Sequence, residues 1–62
     1  MAAKWVTIYI AHGEKSADDA MALLAREGFL CRANSAGDSC YELMTLPTEA
    51  QEARDLLHEN GF

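Results

Sequence analysis

The stretch LLAREGF at residues 23–29 decides the fold, and the chain repeats its pattern as LLHENGF at residues 56–62. In each copy the two leucines lie near the end of an apolar helical stripe, and the glycine follows as the residue that ends the helix. Phe29 leads on into a strand, whereas Phe62 is the last residue of the sequence. The repeat has two explanations: a duplicated β-α unit, or two helices that pack on one sheet and stop in the same way.

The first half of the chain predicts a strand followed by a helix. The segment Trp5–Ile10 is dense in alternating β-branched and aromatic residues, which is typical of a strand. Regular alternation predicts two faces, with Val6, Ile8 and Ile10 on one and Trp5, Thr7 and Tyr9 on the other. A helix is then predicted over Ala17–Glu27, with Ser16 as its N-cap and Gly28 as the residue that stops it.

The second half predicts two strands and a second helix. The strands are Leu30–Asn34 and Cys40–Leu46, joined by the turn sequence NSAGDS at residues 34–39. After Pro47, Thr48 is the expected N-cap of the second helix, and Gln51 completes a capping box. The whole chain therefore follows the order β-α-β-β-α.

This order predicts an α+β fold of a single small domain over residues 1–62. The β-α-β crossover is expected to be right-handed, and placing the third strand between the first two gives an antiparallel sheet with strand order 1-3-2. Both helices then pack on one face, as in a ferredoxin-like plait that lacks its fourth strand. The sequence is compatible with a complete protein and with a piece excised from a longer chain.

Two surfaces of this fold are expected to have no cover. One is the outer edge of the first strand, and the other is the helix-free face of the sheet, which should carry Trp5, Thr7 and Tyr9. Unpaired strand edges and exposed aromatic patches mark interaction sites in small domains. We therefore expect a non-catalytic regulatory or protein-interaction module that binds another protein, or a second copy, through this edge or face.

The charge and the cysteine content limit the expected partners and the expected cellular compartment. The 62 residues include 5 basic and 10 acidic side chains, which gives a formal net charge of −5. Because the basic residues are scattered, nucleic acid and membrane surfaces are not expected partners. The sequence shows no signal peptide and no apolar run long enough to cross a bilayer, and it has two cysteines. We expect a cytoplasmic protein with reduced thiols.

The predicted hairpin leaves one alternative for the cysteines. A turn at Ser35–Gly37 places Asn34 opposite Asp38, and this register sets Cys31 opposite Tyr41. A shift of one residue brings Cys31 opposite Cys40, so a cross-strand disulfide is the competing prediction.

Four residues are candidates for chemistry: His12, Cys31, Cys40 and His58. Zinc sites usually contain a tight pair of ligands, and no such pair occurs here, so no metal or other cofactor is expected. Pairing of either cysteine with His12 as a nucleophile lacks an orienting group and a cleft, so no catalytic residue and no enzyme activity are expected. The alternative function is a small-molecule or metal-binding sensor that uses His12 and the two cysteines of the hairpin.

The chain also resembles a known family. The matching pieces are Trp5–Ile10, Leu23–Phe29, Tyr41-Glu42-Leu43 with Pro47, and the alanine-rich helix Ala50–Leu57. Together they resemble the prokaryotic signal-transducing domain, a family of short bacterial domains. The resemblance implies a small α+β sandwich of ferredoxin-like character, and it transfers no catalytic or binding residues.

Overall fold

Five elements follow one another in the computed structural model, which describes residues 4–62. They are β1 (Val6–His12), α1 (Glu14–Arg26), β2 (Cys31–Ser35), β3 (Cys40–Thr45) and α2 (Ala50–Glu59). The strands form one antiparallel sheet in the order β1-β3-β2. The predicted α+β fold, with order β-α-β-β-α and the third strand in the centre, is confirmed.

The core lies between the sheet and the two helices, and small side chains let these layers approach closely. Leu24, Leu43 and Leu57 are the large apolar side chains that are fully buried. Leu23 and four alanines on the strand and helix surfaces complete the cluster: Ala11, Ala17, Ala20 and Ala53. Interiors pack at the density of organic crystals, so a core of this kind depends on close helix–sheet contact.

Both helices end in the way that the repeated motif predicts. After α1, Gly28 has a φ of 88° and donates its N–H to the Ala25 carbonyl, while Phe29 donates to Leu24. After α2 the corresponding bonds run from Gly61 to His58 and from Phe62 to Leu57, and Gly61 has a φ of 86°. Both ends are Schellman motifs, in which glycine takes a conformation that other residues adopt only with strain.

Neither helix begins at its predicted cap. The N-cap of α1 is Gly13, and no side chain caps either helix. The Gly13 N–H donates to the Ser39 carbonyl at 2.6 Å, which ties the chain to the hairpin immediately after β1. The helix therefore starts before Ser16, which lies inside it. At α2, Thr48 lies in a backbone turn after Pro47, and Gln51 bonds Asp55 rather than the helix end. Backbone hydrogen bonds, to the hairpin for α1 and within the turn after Pro47 for α2, mark both starting points.

The hairpin between β2 and β3 has a different register from the predicted one. Ser35 pairs with Tyr41, and Cys31 pairs with Thr45. The turn lies further along the chain than expected, because Cys40 donates its N–H to the Gly37 carbonyl. Asp38 and Ser39, the two residues between Gly37 and Cys40, both have positive φ, as in a type I′ turn. The predicted pairing of Cys31 with Tyr41 is therefore wrong.

A β-bulge in β1 changes which side chains face the helices. Thr7 pairs with Met44 and Tyr9 pairs with Leu43, so Ile8 is an extra residue without a partner. An extra residue shifts the two-residue alternation of every position that follows it. Tyr9 consequently shares the helix side with Leu43, and Ile10 faces away from the core with 41% of its surface exposed. The predicted sides of Tyr9 and Ile10 are wrong.

Candidate functional site

The candidate site is the side of the sheet that neither helix covers, which we call the open face. The strand register places eight side chains on it: Thr7, Ile10 and His12 of β1, Cys40, Glu42 and Met44 of β3, and Arg32 and Asn34 of β2. Their neighbours along β1 and β3 point to the core instead, as the full burial of Ala11, Leu43 and Thr45 shows.

Cross-strand contacts order the open face. The Thr7 hydroxyl donates to Glu42 Oε1 at 3.0 Å, which joins β1 to β3. The Arg32 guanidinium carbon lies 5.3 Å from the centre of the Trp5 ring, so the indole lies beside the strand residues of the open face. A cation over an indole ring is attracted by the electron-rich face of the ring. The structure therefore places Trp5 and Thr7 on the predicted surface.

Tyr9, the third predicted residue of this surface, lies on the opposite side. Its ring packs against the core cluster and meets Phe62 edge-to-face, with ring centres 5.9 Å apart and an interplanar angle of 87°. The bulge at Ile8 is the physical reason, because it turns Tyr9 towards the helices. Ile10 takes the place that was predicted for Tyr9.

The open face is electrically neutral, although the chain carries a formal charge of −5. Arg32 and Glu42 are the two strand residues of this face with a formal charge, and their charges cancel. The acidic side chains that dominate the total belong largely to the helices. The open face is thus the part of the sheet that a second, equally acidic molecule can approach with little repulsion.

The outer edge of β1, the other predicted surface, is partly occupied. The Arg54 guanidinium of α2 donates to the Thr7 carbonyl at 3.3 Å, next to the bulge. Bulges and covering side chains are the usual devices that keep an edge strand from pairing with another chain. The open face is therefore the better candidate.

The sheet brings two of the predicted chemical residues together. His12 and Cys40 are direct cross-strand partners at the end of β1 and the start of β3. Cys40 Sγ lies 3.5 Å from His12 Nδ1. The imidazole is exposed and the thiol is half-buried, so both are accessible from solvent.

Cys31 does not join this pair. It faces the core side of the sheet opposite Thr45, and neither thiol is bonded to another sulfur. Burial raises the pKa of the Cys31 thiol above its ordinary value of 9.0, and a hydrogen bond from the Met44 backbone opposes the shift. The predicted alternative site of His12 with both cysteines is not assembled, and the alternative disulfide register is not formed.

Metal ligands do not cluster in the described part of the chain. Within residues 4–62, no three His, Cys, Asp or Glu side chains lie close enough together to hold a metal ion. His58 lies apart from the pair, in the last turn of α2.

An open cleft lies between the helices on the far side of the sheet. Its volume is about 270 Å³, and its walls include four carboxylates and two apolar side chains: Glu27, Glu52, Asp55, Glu59, Phe29 and Leu56. Neither His12 nor a cysteine lines it. The cleft therefore offers no nucleophile beside a binding cavity.

Comparisons with known proteins found no relative of this chain, so a proposal about its function is based on the fold and the open face. No protein-family model matches the chain, and the searches of curated proteins and of solved structures also found no match. The resemblance to the prokaryotic signal-transducing domain therefore stays a prediction. Over residues 4–62, no helix has the length and apolar character needed to cross a membrane.

Proposed function

We propose that the chain is a non-catalytic interaction module that binds a second copy of itself through the open face. The observation that carries this proposal is a neutral, partly apolar sheet face without helical cover on an otherwise acidic molecule. Ile10 and Met44 provide apolar surface on neighbouring strands, and Trp5 extends it at one end. Aromatic residues, methionine and arginine are enriched at protein interfaces relative to other surfaces.

Charge favours a second copy over an unrelated partner. Arg32 and Glu42 lie on different strands of the same face. In a two-fold symmetric pair the same surface patch meets itself, so a contact of one residue with a different residue occurs twice; Arg32 of each copy can therefore approach Glu42 of the other. The acidic helices then point outwards on both sides. The same arrangement keeps the mutual repulsion of two acidic chains small.

The open face is small, which is typical of weak, transient interfaces. Strands lie about 4.8 Å apart and rise about 3.3 Å per residue, so the three strands of 7, 5 and 6 residues make a flat area of roughly 290 Å². Two such faces lie below the total of about 1,200 Å² that is usual for stable complexes. We therefore expect a transient dimer with a dissociation constant in the high micromolar range.

Sedimentation equilibrium from about 10 to 500 µM protein tests the proposal, since this range brackets the expected dissociation constant. The unaltered chain should shift from monomer to dimer over this range. Ile10→Asp, which adds a charge to the open face, should remain monomeric. Ala22→Asp adds the same charge on the exposed surface of α1 and should dimerise normally. A strict monomer at the highest concentration, or equal effects of the two variants, would overturn the proposal.

A charge exchange tests the two-fold geometry separately. Arg32→Glu and Glu42→Arg should each weaken the dimer, because each places like charges across the interface. The double variant should recover association. Loss in both single variants without recovery in the double variant would exclude this pairing of charges, and a different orientation of the two copies would then be required.

The wider role follows from the same proposal. A regulatory, signal-transducing role in the bacterial cytoplasm is supported by the family resemblance and by two unbonded thiols on opposite sides of the sheet. Titration with other proteins from the same neighbourhood of the genome tests whether a different partner displaces the second copy. Displacement that depends on Trp5 and Ile10 would assign the open face to that partner.

A further inference from the structure

The contact between His12 and Cys40 has a geometry that the interaction module does not require. The two residues face each other across β1 and β3, so the backbone register holds their Cβ atoms close together. The distance of 3.5 Å from Cys40 Sγ to His12 Nδ1 is within hydrogen-bonding range for sulfur. An imidazole nitrogen is a group that can take up a proton near neutral pH.

The two cysteines of the chain lie in contrasting environments. Cys40 lies at the end of the sheet beside an exposed imidazole. Cys31 faces the helices, where burial disfavours its thiolate. The thiolate is the reactive form of cysteine, so the two sites should differ in reactivity. Cys31 thus provides an internal reference for Cys40.

We propose that Cys40, with His12 as its proton acceptor, is a site of thiol–disulfide exchange with low-molecular-weight disulfides. In this step His12 Nδ1 takes the proton from Cys40 Sγ, and the sulfur attacks one sulfur of the small disulfide. A new S–S bond joins Cys40 to half of the reagent, and the original S–S bond breaks. The departing thiolate keeps the electron pair of that bond and takes a proton from His12 or from solvent.

The product is a mixed disulfide that the chain cannot resolve by itself. Resolution within one molecule requires a second thiol that can reach the new bond. Cys31 lies on the other side of the sheet and pairs with Thr45, at the far end of the strand from Cys40. The adduct therefore persists until an external thiol reduces it, which makes the modification reversible and single-site.

The pair lies at one end of the open face, so its chemistry is tested where the chain is a monomer. His12 is the last residue of β1, and Cys40 is the first residue of β3. None of the described side chains forms a hydrogen bond with the other imidazole nitrogen, so the third member of a catalytic triad is missing. The arrangement fits stoichiometric modification rather than turnover.

The test uses the full chain at low micromolar concentration, where it is a monomer, with glutathione disulfide as the probe. Single-cysteine variants, Cys31→Ser and Cys40→Ser, report on one thiol each by mass spectrometry over time. We expect the thiol of Cys40 to react about tenfold faster than that of Cys31. Equal rates at the two cysteines would overturn the proposal.

Substitution of His12 separates proton transfer from simple exposure. In the Cys31→Ser background, His12→Asn should slow modification of Cys40 about fivefold, because an amide cannot take the proton. His58→Asn, a change of the same kind on α2, should leave the rate unchanged. Circular dichroism checks that all variants are folded. An unchanged rate in folded His12→Asn would show that exposure alone governs Cys40 and would refute the role of His12.

Discussion

The edge-to-face pair of Tyr9 and Phe62 allows a quantitative test of where β1 directs its side chains. The ring centres are 5.9 Å apart and the planes are nearly perpendicular at 87°. Aromatic pairs of this geometry contribute about 0.5–1.5 kcal/mol beyond the area that they bury. If Tyr9 instead pointed to the open face, as regular alternation predicts, the two rings would lie on opposite sides of the sheet and their coupling would be zero.

A double-mutant cycle measures this coupling. Tyr9→Leu and Phe62→Leu each remove a ring but retain an apolar side chain, and the double variant removes both. A domain of this length has a free energy of unfolding of about 3–9 kcal/mol, so all three variants should remain measurable by urea unfolding. The sum of the two single losses should exceed the loss in the double variant by about 1 kcal/mol.

The second Schellman motif supplies the matched control. Phe29 follows α1 as Phe62 follows α2, but Tyr9 forms its aromatic pair with Phe62. Phe29→Leu should therefore combine additively with Tyr9→Leu, within about 0.3–0.5 kcal/mol. Additive behaviour of Tyr9 with Phe62 as well would refute the placement of Tyr9 on the helix side and, with it, the composition of the open face.

Three further predictions concern stability. Gly28→Ala and Gly61→Ala should each lower the free energy of unfolding by about 1 kcal/mol, because both positions have positive φ. Open space around each added Cβ means that no steric clash adds to this loss. Clearly unequal losses in urea unfolding would contradict the equivalence of the two helix ends. Thr45→Val should cost about 1 kcal/mol, since the fully buried hydroxyl donates to the carbonyl before β2; a stability gain in thermal unfolding would contradict this role. Because folding raises the pKa of Cys31 from 9.0, the unfolded chain loses this proton first. The free energy of unfolding should therefore fall as the pH rises above about 9. Below about pH 8 this thiol should make no contribution to the pH dependence of the free energy of unfolding. Urea titrations across this range should show the slope reduced by Cys31→Ser and retained by Cys40→Ser.

Features that depend on local chemistry could be predicted from the sequence. Gly28 and Gly61 stop their helices because each follows a pair of leucines at the spacing of a Schellman motif, and the structure shows both motifs. The strand order followed from the β-α-β-β-α sequence of elements, arranged as in a ferredoxin-like plait. The helix starts were less predictable, because the hydrogen bond from Gly13 to the distant Ser39 carbonyl fixes the start of α1. No local sequence pattern records such a contact.

The composition of the open face could be predicted only in part, because a bulge leaves little trace in a strand of apolar residues. Thr7 precedes the bulge and faces as expected, whereas Tyr9 follows it and does not. The two residues after the predicted strand, Ala11 and His12, do indicate the bulge. Regular alternation continued from Ile10 would direct His12 into the core and Ala11 to solvent. The reverse is energetically better, since a small apolar residue fits beneath the helices and a histidine does not.

The same bulge also produces the contact between His12 and Cys40. Without the extra residue, the pairing of Thr7 with Met44 would continue in steps of one and set His12 opposite Ser39, with its ring under the helices. The observed shift sets His12 opposite Cys40 instead, on the open face. One unpaired residue, Ile8, thus moves an aromatic ring into the core, exposes an isoleucine and joins an imidazole to a thiol. Because these three consequences have one cause, loss of the Tyr9 coupling would also remove the pairing of His12 with Cys40, and with it the basis for His12-dependent modification.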